Sequence, residues 1–309
     1  MALGSRAGVW ASDICGSDEL GAMKTAKILI LFDTDRQPNS FDRVVAIDAG
    51  VDQLFAYGNV ALDQVEALVH GAIFTRGPKD LGGTAIFIGG SSVVAGEEVL
   101  ERVTSSFLGP LSVSVMLDSN GANTTAAAAV LSARRHLELS QTTALVLAGT
   151  GPVGQRAARL LAHEGATVRL ASRSGQRAAN AAEAINKVLE KNQVLPCVSS
   201  DDATLAKALH GTELVIAAGA SGVELLPQAA VTAVPTLKVA IDLNAVPPLG
   251  IEGINTTDKA APLGSIKVYG AIGIGTTKMK IHKAAIARLF ESNNQVLDAE
   301  RIYELGKAL

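Results

Sequence analysis

Residues 144–155 read Ala144-Leu-Val-Leu-Ala-Gly149-Thr-Gly151-Pro-Val-Gly154-Gln155. A strand-length apolar run enters a Gly-x-Gly-x-x-Gly turn, and helix formers (Gln155 to Glu164) leave it. A second apolar run, Ala166 to Ala171, completes a strand–turn–helix–strand unit of about 30 residues, the context in which such a turn holds a dinucleotide. The glycines have separate tasks. Gly149 permits the tight turn, Gly151 lets the backbone approach a pyrophosphate, and Gly154 lets the helix lie close on the strand. Thr150, Pro152 and Val153 complete the turn, and the free amides at the helix start face the phosphates.

The end of the second strand selects the nucleotide. An NAD site places Asp or Glu there for the ribose 2′-hydroxyl. Here the strand ends Ala171-Ser172-Arg173-Ser174, with no carboxylate between Gly165 and Glu183. Arg173 can stack on adenine and pair with a 2′-phosphate, with Ser172 and Ser174 donating hydrogen bonds, so NADP is the expected cofactor. The plain alternative for Arg173 is a solvated surface arginine.

Outward from this unit the chain keeps alternating. Expected strands lie at Leu195–Ser199, Leu214–Ala218, Lys238–Leu243 and Ile266–Tyr269, with helices at 175–191 and 204–209, then Lys278–Phe290 and about Asp298–Lys307. Before it, strands are expected at Lys27–Phe32, Ala72–Thr75, Thr84–Ile88 and Leu111–Leu117. Helices are expected after Ser40, at Asp63–His70 and at Val93–Ser105. An Ala-rich helix from Asn123 to about Leu139 joins the two halves. The fold class is therefore α/β with two domains: a small α/β substrate domain at 23–125 and a Rossmann-type NADP domain with a parallel sheet at 126–278. Residues 279–309 are expected to return to the first domain. Residues 1–22 show no period and are read as a tag or a disordered extension.

Bulk composition narrows the function. With Lys+Arg 27 against Asp+Glu 30 and a net charge of -3, a nucleic-acid partner is not expected. No apolar run is long enough for a membrane span. Two cysteines, Cys15 and Cys197, have no metal-ligand spacing. The expectations are a cytoplasmic protein with no metal.

Four stretches are too particular for a generic Rossmann protein: Asp118-Ser-Asn-Gly-Ala-Asn-Thr-Thr125, the turn Gly149–Gly154, Asp242-Leu-Asn-Ala-Val-Pro-Pro-Leu-Gly250 and Gly270-Ala-Ile-Gly-Ile-Gly275. With Phe32-Asp-Thr-Asp35 and Leu289-Phe-Glu-Ser292, their order resembles the bacterial NADP-dependent methylene-tetrahydromethanopterin and methylene-tetrahydrofolate dehydrogenases, from about Lys24 to the C terminus. The resemblance implies direct hydride transfer from the one-carbon unit of a reduced pterin or folate to the nicotinamide, in one-carbon metabolism. It also implies a homo-oligomer. Such chemistry rests on positioning two rings and tuning charge near a developing cation, so few residues stand out as catalytic.

Strand ends facing an interdomain cleft supply the substrate candidates: Asp33, Asp35, Ser91, Asp118, Asn120 and Asn123. Asp118 or Asn123 can equally be a helix cap. Lys278 is the catalytic candidate. It matches the family's glycine-glycine-lysine region and stands at an expected helix start, a poor place for a cation. Thr276-Thr277 departs from the small or apolar residues expected there, and Lys280 is the alternative lysine. Ala218, Gly219 and Ala220 are expected along the nicotinamide ribose, with Asn244 completing the cofactor set. His136, His163 and His282 read as structural or exposed. The competing readings are a shikimate-type dehydrogenase, which wants a Lys/Asp proton-transfer pair, and a non-catalytic NADP(H) sensor. A cyclohydrolase would need a Tyr-x-x-x-Lys pair, and Tyr57 has no lysine at that spacing.

Overall fold

The computed structural model describes residues 25–309; the expectation for residues 1–22 lies outside them. The first half runs β1 (Ile28–Asp33), α1 (Ser40–Asp48), β2 (Gln53–Tyr57), α2 (Leu62–Ile73), β3 (Thr84–Gly89), α3 (Val93–Ser105), β4 (Ser114–Leu117) and α4 (Ala122–Arg134). The second half runs β5 (Thr143–Leu147), α5 (Pro152–His163), β6 (Thr167–Ser172), α6 (Gly175–Leu189), β7 (Val194–Val198), α7 (Asp202–Leu209), β8 (Leu214–Ala217), α8 (Gln228–Thr232), β9 (Val239–Asp242), β10 (Lys259–Leu263) and β11 (Ile266–Tyr269). The chain closes with α9 (Ala271–Arg288), β12 (Val296–Leu297) and α10 (Ala299–Lys307).

Two sheets result. The first has the order β12-β4-β3-β1-β2, all parallel. Its centre, β3 (TAIFIG), is buried throughout, as expected of a strand covered on both faces. The second sheet has the order β10-β11-β9-β8-β5-β6-β7, parallel except for β10, which pairs antiparallel with β11. Counted within this half, its six parallel strands follow the Rossmann order 3-2-1-4-5-6, so the crevice at the order reversal opens between β5 and β8. The pairing of β12 with β4 returns the C-terminal segment to the first sheet.

Helix α4 links the halves. All residues from Ala122 to Ala133 except Thr125 are buried. The small side chains let α5, α9 and α10 close on it at once, and one apolar core runs from Leu29 in β1 through α4 to Ile241 in β9.

Several boundaries differ from expectation. Ala72–Thr75 is not a strand: Val65, Val69, Ala72 and Ile73 form one buried helical stripe that carries α2 to Ile73. β2 escapes detection because it is an edge strand with alternating half-exposure and no β-branched residue. The Ala-rich helix ends at Arg134 rather than near Leu139, where a short 3₁₀ turn follows. α9 begins at Ala271, not Lys278. Gly270 and Gly273 lie where a methyl would come within 2.0 Å of the Asn255 carbonyl and 1.7 Å of the Asp258 carbonyl. These glycines dock the first turn of α9 onto the loop before β10 instead of breaking a helix, and the Thr256 carbonyl accepts from the amides of Ile272 and Gly273.

The contrast between two glycines of α9 is testable. Gly273→Ala must push the Asp258 backbone aside and should cost about 2–4 kcal/mol. Gly275, with nothing within 4 Å of the added methyl, should gain about 0.5–1 kcal/mol as alanine. Thermal melts of the two variants check this; equal melting temperatures would show that the α9 docking is loose.

Candidate active site

The Rossmann crevice holds a cavity of about 750 Å³ at the strand ends of β5, β6 and β8. Thr150, Gly151, Ser172, Arg173, Ser174, Ala218, Gly219 and Ala220 line it. The glycines divide as the turn requires. A methyl on Gly149 would meet Leu170 Cγ at 2.8 Å, and one on Gly154 would meet the Gly149 backbone at 2.8 Å. At Gly151 the nearest atom would be 3.6 Å away. The chain's own packing therefore tolerates a methyl at Gly151, so the fold alone does not demand glycine there. Gly151 is the N-cap of α5 and Pro152 its first residue, with no side chain capping the helix amides. The residues present thus fit a dinucleotide pyrophosphate at that helix start.

Around the expected 2′-phosphate position the arginine is doubled. Arg173 and Arg177 both line the cavity and are exposed, four residues apart across the start of α6. Ser172 Oγ accepts the Ser174 amide at 3.2 Å, and Ser174 Oγ caps α6 by accepting the Arg177 amide at 3.3 Å. Gly149, Pro152, Val153 and Gly154 stand behind the cavity as turn and helix packing. Asn244 lies outside its lining. Buried, it accepts the Val246 amide and donates to the Pro248 carbonyl, shaping the loop with the cis Pro247–Pro248 bond.

The first-domain candidates gather at the ends of β1, β3 and β4, mostly as loop builders. Asp33 is buried and accepts the amides of Asp35 and Asn39 at 2.8 and 3.0 Å. Asp35 clips the Ser91 loop, accepting its amide at 2.9 Å and its hydroxyl at 2.8 Å. Asp118 has no exposed surface. It accepts the amides of Asn123 and Thr124 and, at 2.6 Å, the Thr124 hydroxyl, and so caps α4. Asn123, also buried, donates to the Leu117 carbonyl and accepts from Arg156 Nε at 2.9 Å, while Arg156 pairs with Glu97. That chain ties α4 to α5 and α3. Asn120 differs from these: it is exposed, held in the left-handed region at φ 55°, with its amide donating to the Gly90 carbonyl.

The two lysines separate. Lys278 lies in the middle of α9, not at its start, so the dipole argument for it does not apply. Its Nζ donates to Thr125 Oγ1 at 2.9 Å and the Gly121 carbonyl at 3.4 Å, and sits 5.6 Å from the centre of the Phe41 ring. Lys280, two residues on, points to another face of α9, where it lines a separate cavity with Arg134, Arg135, Lys259 and Lys307. Next to Lys278, burial together with Asp118 pushes the Asp42 carboxyl up to about 7, against the pull of Lys278 itself. His282 is completely buried, stacked on Phe87, with its pKa lowered by burial.

Sequence comparison supplies the family. A profile described as "Methylene-tetrahydromethanopterin dehydrogenase, N-terminal" matches residues 40–120. The chain is 50% identical over 285 residues to "Bifunctional protein MdtA" of Methylorubrum extorquens, covering 92% of this chain and 99% of that one. It is 32% identical over 281 residues to the "NAD(P)-dependent methylenetetrahydromethanopterin dehydrogenase" of the same organism, covering 86% and 93%. The chain belongs to the methylene-tetrahydromethanopterin dehydrogenase family. Among solved structures, quinate dehydrogenase from Corynebacterium glutamicum superposes with a TM-score of 0.51 at 15% identity, over 92% of this chain and 99% of that one. Shikimate 5-dehydrogenase from Listeria monocytogenes gives 0.51 at 13%, over 91% and 96%. These two share the two-domain fold.

For a member of this family, five residues were not read as part of the site from the sequence, His282 among them having been read only as structural or exposed. Arg177 was legible in principle, because its spacing from Arg173 repeats every helical turn. Phe41, 46% exposed beside Lys278, reads as an ordinary apolar position until α9 is placed against it. Asp42 and His282 lie 240 residues apart in sequence and meet only in the fold. Ala148 lines the nucleotide cavity with φ 50°, a strained setting for alanine without a local signal.

Asp118→Ala leaves three donors at the start of α4 without their acceptor and should cost about 2–4 kcal/mol. Asp118→Asn, which keeps one acceptor oxygen, should cost less. Urea unfolding measures both. Unchanged stability in the alanine variant would overturn the capping role of Asp118.

Proposed function

We infer that this chain oxidises a methylene-tetrahydropterin to the methenyl form, with tetrahydromethanopterin as the carrier and NADP as the hydride acceptor. Family membership over 86% of the chain carries this reading, and a nucleotide crevice fitted for a pyrophosphate supports it. NADP, when bound, supplies the nicotinamide C4 that takes the hydride. The substrate carbon lies between two nitrogens, so loss of hydride leaves a cation shared by both, and no proton has to move in the step.

The residues of the chain then bind and orient. Arg173 and Arg177 offer two guanidinium groups to a 2′-phosphate. The backbone at Gly219 and Ala220 borders the ribose. The exposed Phe41 ring offers a stacking face for a pterin, and Lys278, fixed by Thr125 and Gly121, offers donors to its polar edge. Asn120, Asp35 and Ser91 add polar groups at the ends of β1, β3 and β4, and Asp33, Asp118 and Asn123 hold those loops in place. On this reading the β1–β4 unit takes the pterin and the β5–β11 unit the nucleotide. The relative called bifunctional is the reason to test tetrahydrofolate beside tetrahydromethanopterin. A cytoplasmic homo-oligomer is part of the same proposal, supported by the resemblance and by cysteine usage.

Mixing protein with NADP⁺ and each methylene pterin should raise absorbance at the NADPH and methenyl bands together, faster with tetrahydromethanopterin. Silence in both mixtures, from protein that binds NADPH, would remove the substrate assignment. Arg173→Glu should weaken NADP binding on the order of 10²-fold while NAD binding changes little. Equal losses for both nucleotides would sink the 2′-phosphate role.

A further inference from the structure

Among the described residues, His282 leaves two buried polar atoms without a hydrogen-bond partner. The ring has no exposed surface, and neither Nδ1 nor Nε2 has a hydrogen-bond partner. It is stacked on Phe87 with ring centres 5.6 Å apart, and Phe41 closes over it at 6.2 Å. A neutral imidazole carries one donor and one acceptor, and leaving both unmade in an apolar pocket is costly. Asp42 Oδ1 lies 4.0 Å from Nε2, and the charges of Asp118 and Lys278 also act on the ring.

Asp42 is equally unusual. It is 7% exposed and, among the described residues, accepts no hydrogen bond. Its charged neighbours come from three elements: Asp33 at the end of β1, Asp118 just after β4, and Lys278 and His282 on α9. The carboxylates of Asp33 and Asp118 are already engaged by backbone amides. Asp42 and His282 are therefore the groups of this cluster left to exchange a proton, and a movement of about 1 Å would bring them into hydrogen-bond range.

We propose that Asp42 and His282 form a one-proton dyad behind Phe41 and Lys278, and that its charge state sets the preference of the site between neutral methylene substrate and cationic methenyl product. This rests on the substrate reading above. With the proton held, the dyad is neutral. With it lost, Asp42 adds one negative charge beside a bound pterin and favours the form that has lost hydride. Both residues are positioning residues here, acting on the equilibrium of bound species without giving or taking a proton in the hydride step.

Burial raises the Asp42 carboxyl to about 7 in the free protein, and a bound cation draws it down again. Affinity for the methenyl form should therefore climb as pH rises towards 7 and level off above it, by about tenfold for one charge at about 10 Å. Affinity for the uncharged tetrahydropterin should stay flat.

The test is titration of NADP⁺-saturated protein with methenyl-tetrahydromethanopterin and with the tetrahydro form between pH 5.5 and 8.5, read by fluorescence. Asp42→Asn should abolish the rise, Asp42→Glu should restore it, and His282→Gln should move its midpoint. A flat profile in an enzyme that turns over the pterin, or a rise that survives Asp42→Asn, overturns the proposal. In parallel, ¹⁵N signals of the His282 ring in the pterin-free protein should shift with a midpoint near pH 7 that vanishes in Asp42→Asn. If no pterin is turned over, the substrate reading falls and this titration alone decides the dyad: a pH-independent ring signal overturns it.

Discussion

The Asp118 carboxylate decides where α4 starts, and α4 decides how the two sheets meet. A buried carboxylate at a helix start has its charge spread over amides that point the same way as the helix dipole, so the cap and the dipole reinforce each other. Because Thr124 supplies both an amide and a hydroxyl to Asp118, the first turn of α4 is held in rotation as well as position. That rotation sends Thr125 toward Lys278 and Asn123 toward Arg156. One helix start thus orders the contacts to α9 and to α5 together.

The alanines of α4 then do what larger side chains would prevent. A helix buried on every side must fit three neighbours within normal interaxial distances, and small residues achieve this without voids. Gly306 of α10 makes the same accommodation: a methyl there would meet Leu131 Cδ1 at 2.7 Å and Ile281 Cδ1 at 3.2 Å. The junction between domains is packed in the manner of a core, and the Glu97–Arg156–Asn123 chain pairs polar groups across it.

How much of this was legible in the sequence depended on the range of the signal. The extents of α3 and β11 follow from local periodicity, and the nucleotide turn follows from its glycines. The gaps have physical causes. β2 is recognisable only by its pairing with β1, and its composition does not advertise that. The glycines at 270 and 273 read as breakers because their real neighbour, the carbonyl row at 255–258, is invisible locally. That error moved the start of α9 by two turns and made Lys278 look like a terminal cation. Asp33, Asp35 and Asp118 do stand at strand ends, yet sequence position could not say that Asp33 and Asp118 accept backbone amides of the segments that follow them while Asp35 clips the Ser91 loop. Asn244 is a similar case, a strand-end polar residue that shapes a proline loop.

What surrounds Lys278 bears on its task. Its partners are a carbonyl, a hydroxyl and an aromatic face, and among the described residues it makes no salt bridge. A neutral shell holds the ammonium in place without cancelling its charge. For a reaction that creates a cation on the substrate, an uncancelled positive charge opposes the product, so Lys278 cannot earn its place by stabilising the charge that develops. On the proposed reading its contribution is orientation through its donors, with the opposing charge answered nearby. The residue set to answer it is Asp42: buried, free of amide donors, and coupled to the same ammonium. On the proposed reading, substrate orientation and charge balance fall on different side chains, which lets each be tuned without disturbing the other.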